Sequence, residues 1–390
     1  MPLHYLKRTF LSPILEFIHD SRAIGITILA CTLLSLILTN SPVGHSFLSL
    51  INIEIHIADQ MPHSVLHWIN DGLMTLFFLL AGMEIKREIL EGELSTIKKS
   101  VLPAMGALGG MLVPAGIFYL FNHHSDYSEG WGIPMATDIA FSLGVASLLG
   151  KKVPLSLKIF LTALAIIDDL GAIIAIAVFY TSTLNTPYLI TALILFLILA
   201  IATYYRKPFG RWNIIAGILL WFCVYNSGIH ATVAGVLFAF IIPKNKLIIW
   251  ENKLHHSVNF IIIPLFVLVN TAIIIPSTFI QDISSSLSIG IIFGLLIGKP
   301  LGIFVFCWLS IKFKWGELSS DITGKHLMGL GILASIGFTM SIFISLLAFD
   351  DSAYQIISKS AVMMASLLAI LFSIIWFKWI IKDGVSRTAS

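Results

Sequence analysis

Apolar runs of about twenty residues recur along almost the whole chain, each long enough to cross a hydrocarbon core of roughly 30 Å. Few folds accept this pattern. In lipid every backbone donor and acceptor must be satisfied inside the segment, so such runs become helices. The composition agrees: 57% of the 390 residues are hydrophobic and 12% charged, against roughly a quarter charged in a soluble domain. The runs lie near 22–40, 66–85, 101–121, 132–150, 155–180, 187–205, 211–224, 229–242, 257–276, 288–311, 326–349 and 357–380. They predict an all-α polytopic membrane protein, a single domain over 1–390 with about twelve transmembrane helices. The short runs 211–224 and 229–242 leave open a single bent hairpin.

Basic residues then orient the chain. Lys7, Arg8 and Arg22 precede the first run, whereas 41–65 holds no Lys or Arg. The alternation continues through Lys86, Arg87, Lys98 and Lys99, then Lys151 and Lys152, then Arg206, Lys207 and Arg211, then Lys244 and Lys246, then Lys312, Lys314 and Lys325, and finally Lys378, Lys382 and Arg387. Cytoplasmic loops carry the excess of Lys and Arg, so both termini are expected in the cytoplasm. The first run is followed by Thr39-Asn40-Ser41-Pro42 rather than a small-residue cleavage site, and is expected to be a retained span. The net charge of +3 is spread over many short loops, with no block of like charge to bind nucleic acid. Cys31, Cys223 and Cys307 lie in apolar stretches without metal-ligand spacing, and no cofactor is implied.

The first outer loop alternates strictly over 51–57, Ile-Asn-Ile-Glu-Ile-His-Ile. Alternation is a strand pattern, so a β-hairpin segment over about 45–60, or an edge for self-association, is expected. Two runs carry helix breakers. The fourth begins Gly132-Ile133-Pro134-Met135-Ala136-Thr137-Asp138, and the eleventh holds Gly329-Leu330-Gly331, then Ser335-Ile336-Gly337-Phe338-Thr339. Each is the middle member of a trio, runs 3–5 and 10–12. Interrupted helices at matching positions of two repeats point to a transport site.

Among the charges inside the runs are the intramembrane groups Asp138, Asp168, Asp169 and Lys299. Asp at a helix centre costs roughly 2.5–3.5 kcal/mol on insertion scales, so such groups are kept for use. Neighbours on a helix point about 100° apart, so one of Asp168 and Asp169 can pair with Lys299 while the other faces a cavity. Lys299 follows a glycine stripe, Gly290, Gly294, Gly298 and Gly302, that permits close helix contact. A desolvated carboxyl beside a second one favours its protonated form and can release the proton to an arriving hard cation. Thr137 offers a hydroxyl or carbonyl beside Asp138. Proton and cation competing for one site, with alternating access, make an antiporter. Asp138 would offset positive half-helix ends and Lys299 negative ones. An intramembrane aspartyl protease would set its carboxylates on different helices, a prenyl-transfer enzyme would need a second acidic motif, and a cation channel would show no proton coupling. His230 is open to two readings, a titratable tuning group or a hydrogen-bonded packing histidine. Asp71 and Glu54 fall near the outer interface and are assigned no transport role.

Several stretches resemble the signature segments of NhaA-type sodium/proton antiporters. They are Phe77 to Glu88, Ala136 to Phe141, Ala165 to Gly171, Asn226 to Thr232, Gly298 to Gly302 and Gly337 to Phe343, in a resemblance running from about residue 20 to 380. The resemblance implies a bacterial inner-membrane antiporter that exports Na⁺ or Li⁺ and imports more protons than cations. It implies interrupted helices 4 and 11 crossing at mid-membrane within inverted repeats. Asp169 would be the principal transient Na⁺ ligand and proton carrier, Asp168 the second carboxylate and Na⁺ ligand, pairing with Lys299 at some stage, and Asp138 a charge compensator and possible ligand at the crossing. A pH-response cluster would comprise Glu84, Arg87, Glu88, Glu251 and His255, although one histidine of that region is Asn252 here. The outer-loop hairpin would form a homodimer in the lipid bilayer.

Overall fold

A computed structural model describes residues 21–380 apart from 57 and 182. Lys7, Arg8, Lys382 and Arg387, which contributed to the orientation, lie outside the described residues, as does the last position of the alternating segment. Among the described residues, nine helices are long and apolar enough to cross a membrane: Arg22–Thr39, Val65–Glu91, Ile97–Asn122, Ser128–Leu148, Leu155–Phe179, Thr186–Tyr204, Lys244–Asn270, Ser286–Lys312 and Ser352–Trp379. Gly324–Ala334 and Phe338–Ala348 make a tenth when joined, bent by 48° at their break. Arg211–Tyr225 and Thr232–Ile241 are shorter apolar helices. This is the polytopic helical fold expected.

Two helices outrun their apolar windows. Val65–Glu91 continues past the apolar run to carry Arg87 and Glu88, and Lys244–Asn270 begins thirteen residues before the run expected at 257. An apolar window measures hydrocarbon thickness, whereas a helix ends where its backbone bonding ends. The charged segments of these two helices lie side by side, with Arg87 reaching Glu251.

The outer loop differs from expectation. Residues Gly44–Ile51 are helical, and pairing narrows to one antiparallel bridge, Glu54 with Ser64. Its hydrogen bonds run from Ile55 N to His63 O (2.8 Å) and from Val65 N to Ile53 O (3.1 Å). Alternation began too late in the segment to outcompete the helix.

Two interruptions position everything that follows. The fourth segment is a 3₁₀ stretch, Ser128–Met135, then extended backbone at Ala136, then the helix Ile139–Leu148. The other break falls at 335–337, between Gly324–Ala334 and Phe338–Ala348. Gly329 and Gly331 stay inside the first of these helices, although the sequence grouped them with the breakers. Their smallness serves packing: a side chain on Gly331 would meet the Pro300 backbone. The breaks are joined by Asp138 N donating to Ile336 O at 2.8 Å.

The glycine stripe packs as its spacing suggested. A methyl group on Gly302 would strike the Gly109 carbonyl, and one on Gly109 the Gly302 carbonyl. Gly298 lies against Pro114, and Gly294 against Pro134 of the interrupted segment. The stripe passes through a π-helical turn, Gly294–Gly298, just before Lys299 and Pro300. Proline brings no N–H to the helix ladder, and the widened turn absorbs the shift in register.

Candidate functional site

The Leu155–Phe179 helix carries Asp168 and Asp169 among buried apolar side chains, themselves 1% and 3% exposed. Their directions diverge as helix geometry requires. Asp168 meets Lys299, with Oδ2 at 3.0 Å from Nζ and neither side chain exposed. The Thr137 hydroxyl donates to the same oxygen at 2.8 Å and also reaches the Ala334 carbonyl at 3.1 Å. The Lys299 ammonium donates to the Met135 carbonyl as well. Met135 ends the 3₁₀ stretch, so the ammonium meets a carbonyl that the helix break leaves without its usual donor.

Asp138 does the reverse. As N-cap of Ile139–Leu148 it accepts from Phe141 N through Oδ1 at 2.9 Å. Its Oδ2 accepts from Thr339 N at 3.1 Å and from the Thr339 hydroxyl. Thr339 sits in the first turn of Phe338–Ala348. One carboxylate thus serves the N-terminal ends of both half-helices, where unpaired N–H groups and the positive dipole end lie.

Asp169 is differently placed. It lines a cavity of about 260 Å³ together with Asp138, Thr162, Asn259 and Thr339. Among the described residues its Oδ1 is buried without a hydrogen-bond partner. Glu84, Arg87 and His255 line the same cavity. Arg87 Nη1 lies 3.2 Å from Glu251 Oε1, and Nη2 lies 3.4 Å from Glu88 Oε1. The five charged or titratable groups expected together are therefore together, on Val65–Glu91 and Lys244–Asn270. Thr137 sits with Asp168 and Lys299. The arrangement offers one neutralised carboxylate, one helix-capping carboxylate and one open to a charged cavity.

His230 stands apart from this cluster. Its Nε2 is 3.3 Å from Asp71 Oδ1, and its Nδ1 is 2.9 Å from the Thr232 hydroxyl. That geometry gives the histidine two polar partners, one of them a carboxylate to which the sequence assigned no transport role. Thr339 was also missed as a ligand of Asp138. It was visible as part of a breaker and of a signature segment, but nothing in a sequence marks which carboxylate a freed turn will meet.

Residues 15–377 match the family described as Na⁺/H⁺ antiporter 1. The Na(+)/H(+) antiporter NhaA 2 of Flavobacterium johnsoniae is 48% identical over 364 residues, covering 91% of this chain and 89% of the relative. The Na(+)/H(+) antiporter NhaA of Cytophaga hutchinsonii is 44% identical over 378 residues, covering 95% and 96%. The Na(+)/H(+) antiporter NhaA 1 of Clostridium beijerinckii is 44% identical over 387 residues, covering 96% of each. Similarity of this extent, over nearly the whole length on both sides, makes the chain a member of the Na⁺/H⁺ antiporter 1 family, whose NhaA antiporters are transporters and not enzymes.

Proposed function

We propose that the chain exports Na⁺ or Li⁺ in exchange for protons across a bacterial inner membrane, by competition of cation and proton at Asp169 with alternating access. One observation carries this: Asp169 holds a buried, unpartnered carboxylate oxygen at a cavity ringed by charged groups, while its neighbour Asp168 is neutralised by Lys299. A largely buried carboxylate without a neutralising partner favours taking up a counterion or a proton, and carboxylate, hydroxyl and carbonyl oxygens suit a small hard cation. Asp138 and Thr339 border the same cavity and supply further oxygens. Asp168 is the second carboxylate, freed when Lys299 changes partner, with Thr137 following it. Transport of more protons than cations would make the cycle electrogenic.

The basic loops put the cavity mouth in the cytoplasm, with both termini on that side. Glu84, Arg87, Glu88, Glu251 and His255 at that mouth form the pH-responsive cluster. The interrupted segments 128–148 and 324–348 are the middle members of inverted repeats that cross near mid-membrane, which the bond between Asp138 and Ile336 supports. The outer loop around the Glu54–Ser64 bridge is the contact of a homodimer. A proteolytic role is disfavoured because Asp168 is held by a lysine rather than facing a second carboxylate.

The test is a proton-gradient assay in everted vesicles containing the chain. Adding Na⁺ or Li⁺ should collapse a preset gradient, saturably. No response at any pH from about 6.5 to 9 defeats the proposal, and a cation current without proton movement would indicate a channel.

A further inference from the structure

An aromatic plug packs within about a turn of the cavity-lining residues Leu80, Ile263 and Met340. Phe343 packs on Phe78 with ring centroids 5.3 Å apart and on Phe266 at 6.2 Å. All three are buried, at 1% exposure or less. Each comes from a helix that also lines the cavity, through Glu84, Asn259 and Thr339 respectively. Along Val65–Glu91, Phe78 lies between Glu84 and Asp71, about 10 Å from each at the rise of a helix. On the two longer helices, polar residues reappear beyond the plug: Asn70 and Asp71 on one, Asn270 on the other.

These polar residues tie the helices together. Asn70 and Asp71 occupy a π-helical turn, Trp68–Leu73, from which adjacent side chains reach different partners. Asn270 Nδ2 donates to Asn70 Oδ1 at 2.8 Å. Asp71 pairs with His230 on the linker between Arg211–Tyr225 and Thr232–Ile241. The His230 ring sets its edge on Phe343, centroids 5.3 Å apart and planes at 88°. Phe343 belongs to the half-helix whose first turn holds Asp138 through Thr339. Asp71 contacts His230 and His230 contacts Phe343, which lies one helical turn from Thr339, so the pair is linked from beyond the plug to the site.

We propose that Asp71 and His230 are positioning residues of the exchange reaction: their pair holds Phe343 in the plug and so favours the state open to the cavity. This rests on the role given above to Asp169 and on the cytoplasmic placing of the cavity. Passage to the far side requires Phe343 to leave Phe78 and Phe266, and the pair opposes that. A ligand offered to a state of fractional population f binds with its dissociation constant divided by f. Weakening the pair lowers f for the cavity-open state and weakens binding from that side.

The experiment measures Na⁺-driven proton movement in everted vesicles, with Na⁺ offered at the cavity side, for Asp71→Ala, His230→Ala and the exchanged pair Asp71→His with His230→Asp. Each alanine variant should raise KM for Na⁺ by about threefold or more, with turnover at saturating Na⁺ within about twofold of the parent, and the exchanged pair should bring KM back toward the parent. Where an alanine protein does not accumulate, Asp71→Asn is measured in the same way and should raise KM less. Unchanged KM in the folded single variants, or an exchanged pair no better than either single, overturns the inference. A parent that exchanges no Na⁺ for protons defeats the functional proposal instead, so the two failures are distinguishable.

Discussion

Asp168 and Asp169 are neighbours in sequence, yet only Asp168 meets Lys299, 3.0 Å from its ammonium, while Asp169 faces the charged cavity. Two identical side chains acquire different chemistry from a rotation of one residue on a helix. Asp168 is balanced by a cation and a hydroxyl. Among the described residues no cation contacts Asp169, so it is the group left to respond to what enters the cavity.

The buried pair predicts a strong, one-sided dependence. Lys299→Ala leaves the Asp168 carboxylate buried without its cation, a loss of about 3–5 kcal/mol. Removing both partners, Asp168→Ala with Lys299→Ala, should cost less than the sum of the single changes. Melting in detergent measures this cycle, and additive losses would mean the two groups do not interact.

Contact between Gly109 and Gly302 places the helix that carries Lys299. Gly302→Val would force a side chain into the Gly109 carbonyl, at a cost of about 1–3 kcal/mol from overpacking. Gly116 has open space where a side chain would project, so Gly116→Ala should change stability by no more than about 0.5 kcal/mol. Melting temperatures of the two variants separate a packing glycine from an incidental one.

Much of this site was legible in the sequence because hydrocarbon makes charge conspicuous. Asp138, Asp168, Asp169 and Lys299 stood out in apolar runs, and helix geometry alone said that one aspartate could pair while the other faced a cavity. Family resemblance, not geometry, chose which. The Met135 and Ala334 carbonyls were invisible, since any residue type can present a backbone oxygen where a helix breaks. Thr339 was hidden for the same reason. The pairing of Asp71 with His230 was missed because Asp71 lies near the end of its apolar run, where a carboxylate is cheap and draws no notice. Alternation over 51–57 overstated the hairpin, since a period of two over so few residues competes poorly with a preceding helix.

Thr339 predicts how tightly the interruption depends on one hydroxyl. Thr339→Val keeps the shape but withdraws the hydroxyl from Asp138, costing about 1–3 kcal/mol. Thr339→Ser retains the donor and should recover most of that loss. Thermal melting and Na⁺-driven proton movement should fall together in the valine variant and return together with serine.

Arg87 sets the electrostatics of the cavity mouth. Its guanidinium contacts Glu88 and Glu251, and Arg87→Gln leaves the mouth more negative. An entering cation should then be concentrated there, lowering KM for Na⁺ at low ionic strength. The advantage should shrink as an inert salt brings the screening length to about 8 Å or less. A KM difference indifferent to ionic strength would place the effect of Arg87 elsewhere.

Proton release from the purified protein tests the central claim most directly. At a pH where the parent is active, adding Na⁺ to weakly buffered protein in detergent should release protons, saturably with Na⁺. Asp169→Asn should abolish the release while the protein still melts as a folded species. Release of the same size from Asp169→Asn would contradict the assignment and move the exchanging carboxylate to another residue of the site.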